Sequence, residues 1–180
     1  MPPASSARPE KNIILTGFMG TGKSTVGQLV AAELGREFVD MDTLIETREG
    51  RPIPQIFAEE GEPYFRQLEA ALCAELAARQ GLVIATGGRL MLDPANAAAL
   101  GGTGRIFCLT ATPELILARV LADEKAIERP LLQGPDPATR IRQLLAERAP
   151  LYAQFDQVDT TGLTAAEVAE EILRLINLNQ

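Results

Sequence analysis

A chain of 180 residues with 46% hydrophobic content has the size and apolar content of one globular domain with a core of its own. Its 17 basic and 24 acidic residues leave a formal charge of −7, which argues against a surface devoted to nucleic acid or acidic lipid. The absence of histidine excludes the Ser-His-Asp triad, the Cys-His pair, imidazole general bases and histidine metal sites, leaving carboxylates, Lys, Arg, backbone groups or a bound ion to carry any chemistry. Residues 1–10 hold prolines and serines and no apolar core, so a disordered lead-in is expected, followed by a single domain over 11–180. No stretch approaches the ~18 apolar residues that span a bilayer. Cys73 and Cys108 lie in apolar runs and form neither a disulfide framework nor a metal cluster, which fits a reducing cytoplasm.

In chain order, Asn12 to Gly17 predicts a strand, and Val26, Leu29, Val30 and Leu34 recur at helical spacing behind it. Glu37 to Asp40 predicts a second strand, followed by two proline-bearing turns. A long helix then presents Phe65, Leu68, Leu72 and Leu76 along one stripe, with Pro63 in its first turn. Leu82 to Ala85 and Arg105 to Leu109 are continuous apolar runs of the kind found in parallel strands covered on both faces. Gln157 to Asp159 is a weaker fifth candidate. Asp93-Pro94, Thr112-Pro113 and Asp136-Pro137 each pair a capping side chain with a proline suited to a first helical position. Thr164 and Glu167 have the spacing of a capping box, ahead of a closing helix with Val168, Ile172 and Leu175 on one face. This alternation implies right-handed crossovers and a mostly parallel sheet between helices, an α/β fold with ligands expected beyond the carboxyl ends of the strands. Between two of the helices, 122–137 mixes charges with three prolines and a glycine; it reads either as a surface loop or as a lid.

Gly17-Phe18-Met19-Gly20-Thr21-Gly22-Lys23-Ser24 matches the phosphate-loop pattern after a strand and at the start of a helix. The glycines let backbone N–H groups turn toward a polyphosphate, Lys23 reaches the outer phosphates and the Ser24 hydroxyl can ligate magnesium. No Asn-Lys-x-Asp guanine-reading segment accompanies it, and no apolar strand ends in Asp-Glu. The second strand instead offers Asp40 and Asp42, with side chains on the same side if the segment stays extended: one for the magnesium shell, the other to hold or deprotonate an acceptor hydroxyl. Alternatively, Asp42 caps a helix beginning at Thr43. Arg66 and Glu69 read as an i,i+3 surface pair on the side of the long helix opposite its leucines. Thr86-Gly87-Gly88 follows the third strand at the edge where ligands bind, or is simply a tight turn. Arg148 ends a helix where a cation complements the dipole.

Taken in order, the phosphate loop, Asp40-x-Asp42, Phe65-Arg66-x-x-Glu69, Thr86-Gly87-Gly88, Arg129-Pro130-Leu131-Leu132 and Arg148-Ala149-Pro150-Leu151-Tyr152 resemble the shikimate kinase family from about Asn12 to Ile176. The resemblance implies a three-layer α/β/α phosphate-loop kinase fold with a five-stranded parallel sheet and a lid at about 122–137. It also implies a monomer that moves the ATP γ-phosphoryl group to the 3-hydroxyl of shikimate, with ATP and shikimate as its partners and Mg2+ as cofactor. By this resemblance Gly20, Thr21, Gly22, Lys23, Ser24 and Thr25 bind ATP. Ser24 and, through water, Asp40 hold magnesium. Asp42 binds the acceptor hydroxyl, Arg66 and Arg148 grip the shikimate carboxylate, and Gly87 and Gly88 line the acceptor. Arg129 swings in to neutralise the transferring phosphoryl group, and Arg119 lies against adenine. Lys23, Asp42 and Arg129 are thereby the catalytic candidates.

Arg89 departs from the family, which usually has a third glycine there. The turn must then form without a φ > 0 residue or carry strain. Arg89 either points to solvent or adds a cation at the pocket rim. Competing readings are a kinase for another hydroxy acid such as gluconate, and a nucleotide-binding regulator without transfer activity.

Overall fold

Five strands, β1 (Asn12–Gly17), β2 (Glu37–Asp40), β3 (Leu82–Ala85), β4 (Gly104–Thr110) and β5 (Asp156–Asp159), form one parallel sheet in the order β2-β3-β1-β4-β5. The computed structural model describes residues 10–123 and 134–178. All but one residue of the predicted lead-in, and residues 124–133 of the predicted lid, Arg129 included, lie outside them. Eight α-helices are described: α1 (Lys23–Leu34), α2 (Met41–Glu49), α3 (Ile53–Glu60), α4 (Glu62–Ala77), α5 (Pro94–Gly101), α6 (Pro113–Ala122), α7 (Pro137–Tyr152) and α8 (Ala165–Asn177). Among the described residues no helix is long and apolar enough to cross a membrane.

Strand β1 is buried along its whole length because it pairs with β3 on one side, Ile13 opposite Val83, and with β4 on the other, Leu15 opposite Phe107. Its side chains alternate between two cores, as the period of two in a strand requires. Ile14 and Ile84 join Ile45, Ile56, Phe65, Leu72 and Leu76 under α2 to α5. Ile13 and Leu15 join Val26, Val30, Val168 and Ile172 under α1 and α8. A third cluster joins Phe18 and Met19 to Ile116 and Val120 of α6 and to Ile141 and Leu144 of α7, so the loop after β1 stands on its own apolar footing.

The predicted helix starts hold: Asp93, Thr112 and Asp136 accept from backbone N–H groups of the following turn, and Thr164 and Glu167 form a complete capping box. The two proline-bearing turns do not. Helices α2 and α3 occupy that stretch, because Pro52 and Pro54 stand before and within the first turn of α3, where no intrahelical N–H is needed.

Candidate active site

The loop from β1 to α1 lies at the carboxyl edge of the sheet. Gly17 must be glycine: at φ 133° a Cβ would lie 2.3 Å from the Leu109 carbonyl oxygen of the neighbouring strand. Thr21 Oγ1 donates to the Phe18 carbonyl at 2.7 Å, which tightens the turn, and Gly22 at φ 91° opens the N-terminus of α1. The Lys23 ammonium folds across the loop, 2.9 Å from the carbonyl oxygens of both Gly17 and Phe18. Arg119 flanks it from α6, donating to the Gly20 carbonyl at 3.1 Å and to Thr160 Oγ1 at 3.2 Å. Ser24 and Thr25 are exposed at the helix start, where the dipole favours anions.

Asp40 joins this loop to the second strand. Its Oδ2 accepts a hydrogen bond from Ser24 Oγ, and its Oδ1 accepts from the Thr43 backbone N–H at 3.1 Å. This corrects the expectation for the Asp-x-Asp pair. The cap of α2 is Asp40 and not Asp42, the chain leaves the extended conformation at Met41, and the two carboxylates do not share one side of a strand. The helical turn carries Asp42 instead toward the loop after β3, where a Cβ on Gly87 would come within 3.0 Å of Asp42 Oδ1. Ser24 and Asp40 offer hard oxygen donors on adjoining elements, which suits Mg2+, an ion that keeps several waters and takes few protein ligands.

Arg66 and Glu69 are joined at 2.5 Å, but not as a surface pair: Glu69 is 3% exposed. Helix α4 is covered on a second face by the β3 loop, and a Cβ on Gly87 would lie 2.8 Å from Glu69 Oε1. Burial pushes the Glu69 carboxyl pKa up, against the opposing pull of Arg66. The Arg66 Nε and Nη2 also donate to Glu62 Oε1, at 3.2 and 3.1 Å, while the guanidinium lies 5.3 Å from the Phe65 ring centroid. With respect to the described residues, each terminal nitrogen of Arg66 therefore retains one N–H for a further anion.

Arg148 approaches from α7. It is 6% exposed, stacks 5.1 Å from the Phe18 ring centroid, lies beside the Tyr152 hydroxyl and has no carboxylate partner among the described residues. Burial lowers its pKa from the ordinary value, as expected for a cation withdrawn from water without a counter-charge. Tyr152 in turn donates to the Gly88 carbonyl, and burial raises the phenol to about 12, so it keeps its proton at neutral pH. Arg89 adopts φ −109°, and no described non-glycine residue has positive φ, so the missing third glycine creates no backbone strain.

The structure thus brings together Lys23, Ser24 and Asp40 on one side, and Asp42, Arg66, Gly87, Gly88 and Arg148 on the other. Sequence reasoning assigned no role to Glu62, to the Phe18 ring beneath Arg148 or to the Tyr152 tether; only Tyr152 and Phe18 stood inside motifs it had singled out.

A family model described as shikimate kinase matches residues 19–177. A shikimate kinase of Caldanaerobacter subterraneus subsp. tengcongensis is 47% identical over 165 residues, covering 91% of this chain and 95% of that protein. Among solved structures, a shikimate kinase from Acinetobacter baumannii in complex with shikimate superposes with a TM-score of 0.88 at 40% identity, over 95% of both chains. A gluconokinase from Sinorhizobium meliloti shares the fold alone, at TM-score 0.57 and 21% identity over 95% of this chain and 96% of that one.

Proposed function

The chain belongs to the shikimate kinase family, and from that premise we propose that it transfers the γ-phosphoryl group of ATP to the 3-hydroxyl of shikimate, a step of aromatic amino acid biosynthesis. The observation that carries the reading is Arg148, a buried guanidinium with no carboxylate partner among the described residues, set beside an Arg66 that keeps free N–H groups. Such a pair favours a ligand carboxylate, since a buried cation gains most from an anion that shares its dry site.

The reaction needs positioning and charge neutralisation more than a covalent nucleophile. The loop amides at Gly20 to Thr25 and Lys23 hold the β- and γ-phosphates, and Arg119 lies beside the nucleotide base. Ser24 and Asp40 would hold Mg2+, which when bound neutralises phosphate charge. Asp42 accepts the hydrogen bond of the acceptor hydroxyl and takes its proton as the new P–O bond forms and the β–γ bridge breaks, releasing ADP. Gly87 and Gly88 line the acceptor, and Arg66 with Arg148 fixes its carboxylate. Arg129, outside the described residues, is assigned to the transferring phosphoryl group. The enzyme is read as a cytoplasmic monomer working on two small molecules, without a nucleic-acid or membrane partner.

Coupled ADP release with ATP, Mg2+ and shikimate, gluconate or no acceptor tests the reading. A kcat/KM for shikimate at least a hundredfold above that for gluconate is expected. Turnover of gluconate alone, or ATP hydrolysis indifferent to acceptor, would overturn it.

A further inference from the structure

We propose that Arg89 is a positioning residue for the acceptor acid, acting through Glu62 on Arg66; the inference rests on the shikimate kinase reading. Arg89 Nη1 donates to Glu62 Oε1 at 2.7 Å, the same oxygen that accepts from Arg66 Nε and Nη2. One carboxylate oxygen therefore bridges two guanidinium groups. The other end of Arg66 is held by Glu69, so both ends of its side-on and terminal geometry are fixed by carboxylates.

That fixation has an electrostatic cost. Two glutamates beside one arginine leave Arg66 over-compensated, and Asp42 adds a third negative charge to the same pocket, close enough to act on Glu69. Among the described residues, Glu62, Glu69 and Asp42 outnumber Arg66 and Arg148 by one charge, which weakens the pull of the two arginines on an incoming carboxylate. Arg89 brings these described groups into balance. Arg89 is about half exposed yet close enough to act on Glu69, Arg148 and Tyr152, so the third guanidinium stands at the solvent-facing rim of the acceptor pocket. With φ at −109° the backbone tolerates this side chain where the family usually has glycine, so the substitution adds charge at no conformational cost. The consequence is a carboxylate site whose affinity depends on three arginines, with Glu62 as the hinge between two of them.

The test is steady-state kinetics of Arg89→Gly, Arg89→Lys, and Arg89→Gly combined with Glu62→Gln. Because Arg89 and Glu62 are each about half exposed, the expected effect is modest: roughly a two- to fivefold rise in KM for shikimate in Arg89→Gly. The KM for ATP should stay constant, and the effect should shrink as added salt screens the pair. Arg89→Lys should retain most of the wild-type affinity. Removing the Glu62 charge in the glycine background should lower KM again. A KM for shikimate indifferent to Arg89→Gly, or one that rises together with the KM for ATP, overturns the inference while leaving the activity in place. Failure of the wild-type chain to phosphorylate shikimate overturns both.

Discussion

Replacing Gly87 by alanine places one methyl group between the two carboxylates of the acceptor pocket. The new Cβ would stand 2.8 Å from Glu69 Oε1 and 3.0 Å from Asp42 Oδ1, several tenths of an ångström inside ordinary carbon–oxygen contact. Glu69 has little room to yield, since it is buried and held by Arg66 at 2.5 Å. Either the β3 loop moves outward or the Arg66–Glu69 pair breaks. Overpacking of this kind costs about 1–3 kcal/mol, which at this chain length lowers Tm by roughly 2–12 °C. Displacing Asp42 and Arg66 by a fraction of an ångström should also depress kcat/KM for shikimate on the order of a hundredfold. The neighbouring glycine supplies the control. A Cβ on Gly88 would meet Arg148 Nη1 at 3.7 Å and the Gly17 carbonyl oxygen at 3.8 Å, ordinary contacts, so Gly88→Ala should melt close to wild type. Thermal unfolding and acceptor kinetics of the two variants decide the matter. Equal Tm values for Gly87→Ala and Gly88→Ala, with Gly87→Ala retaining wild-type kcat/KM, would refute the crowding argument.

Lys23→Ala should lower kcat about 10²- to 10³-fold, whereas Arg66→Ala should chiefly raise the KM for shikimate; steady-state kinetics with each substrate varied separates them. Tyr152→Phe leaves the Gly88 carbonyl without its phenol donor, and urea unfolding should register a loss of about 1–3 kcal/mol together with a raised KM for shikimate. For Glu69 the sign follows from burial: its folded pKa lies above the ordinary 4.5, so the native state binds the proton more tightly than the unfolded chain. Its contribution to stability is therefore greatest below 4.5 and declines as pH rises through the raised value. Glu69→Gln should flatten that part of the stability profile, and a profile identical to wild type in denaturant titrations across pH 4 to 7 would count against the assignment.

Strand–helix alternation was legible because each strand is a short apolar run and each helix start carries its own cap, signals that act within a few residues. The same locality made the phosphate loop readable. What could not be read depended on contacts between distant segments. Asp40 and Asp42 looked equivalent until the helix at Met41 separated them, Asp40 to Ser24 and the cap, Asp42 to Gly87. Glu69 looked solvated because periodicity marks only the face of α4 against the main core; the second covering comes from a loop nearly twenty residues on. Glu62 carried no signal at all, as a carboxylate at a helix start is commonplace, and its bridging of Arg66 and Arg89 exists only in three dimensions. The stretch holding Pro52 and Pro54 suggests turns by composition, yet their places before and within a first turn make them helix starters.

The most direct measurement is identification of the product by phosphorus NMR and mass spectrometry after incubation with ATP, Mg2+ and shikimate. A single phosphate ester on the 3-hydroxyl is expected, formed one for one with ADP. A phosphate on another hydroxyl, or inorganic phosphate as the sole product beside ADP, would contradict it.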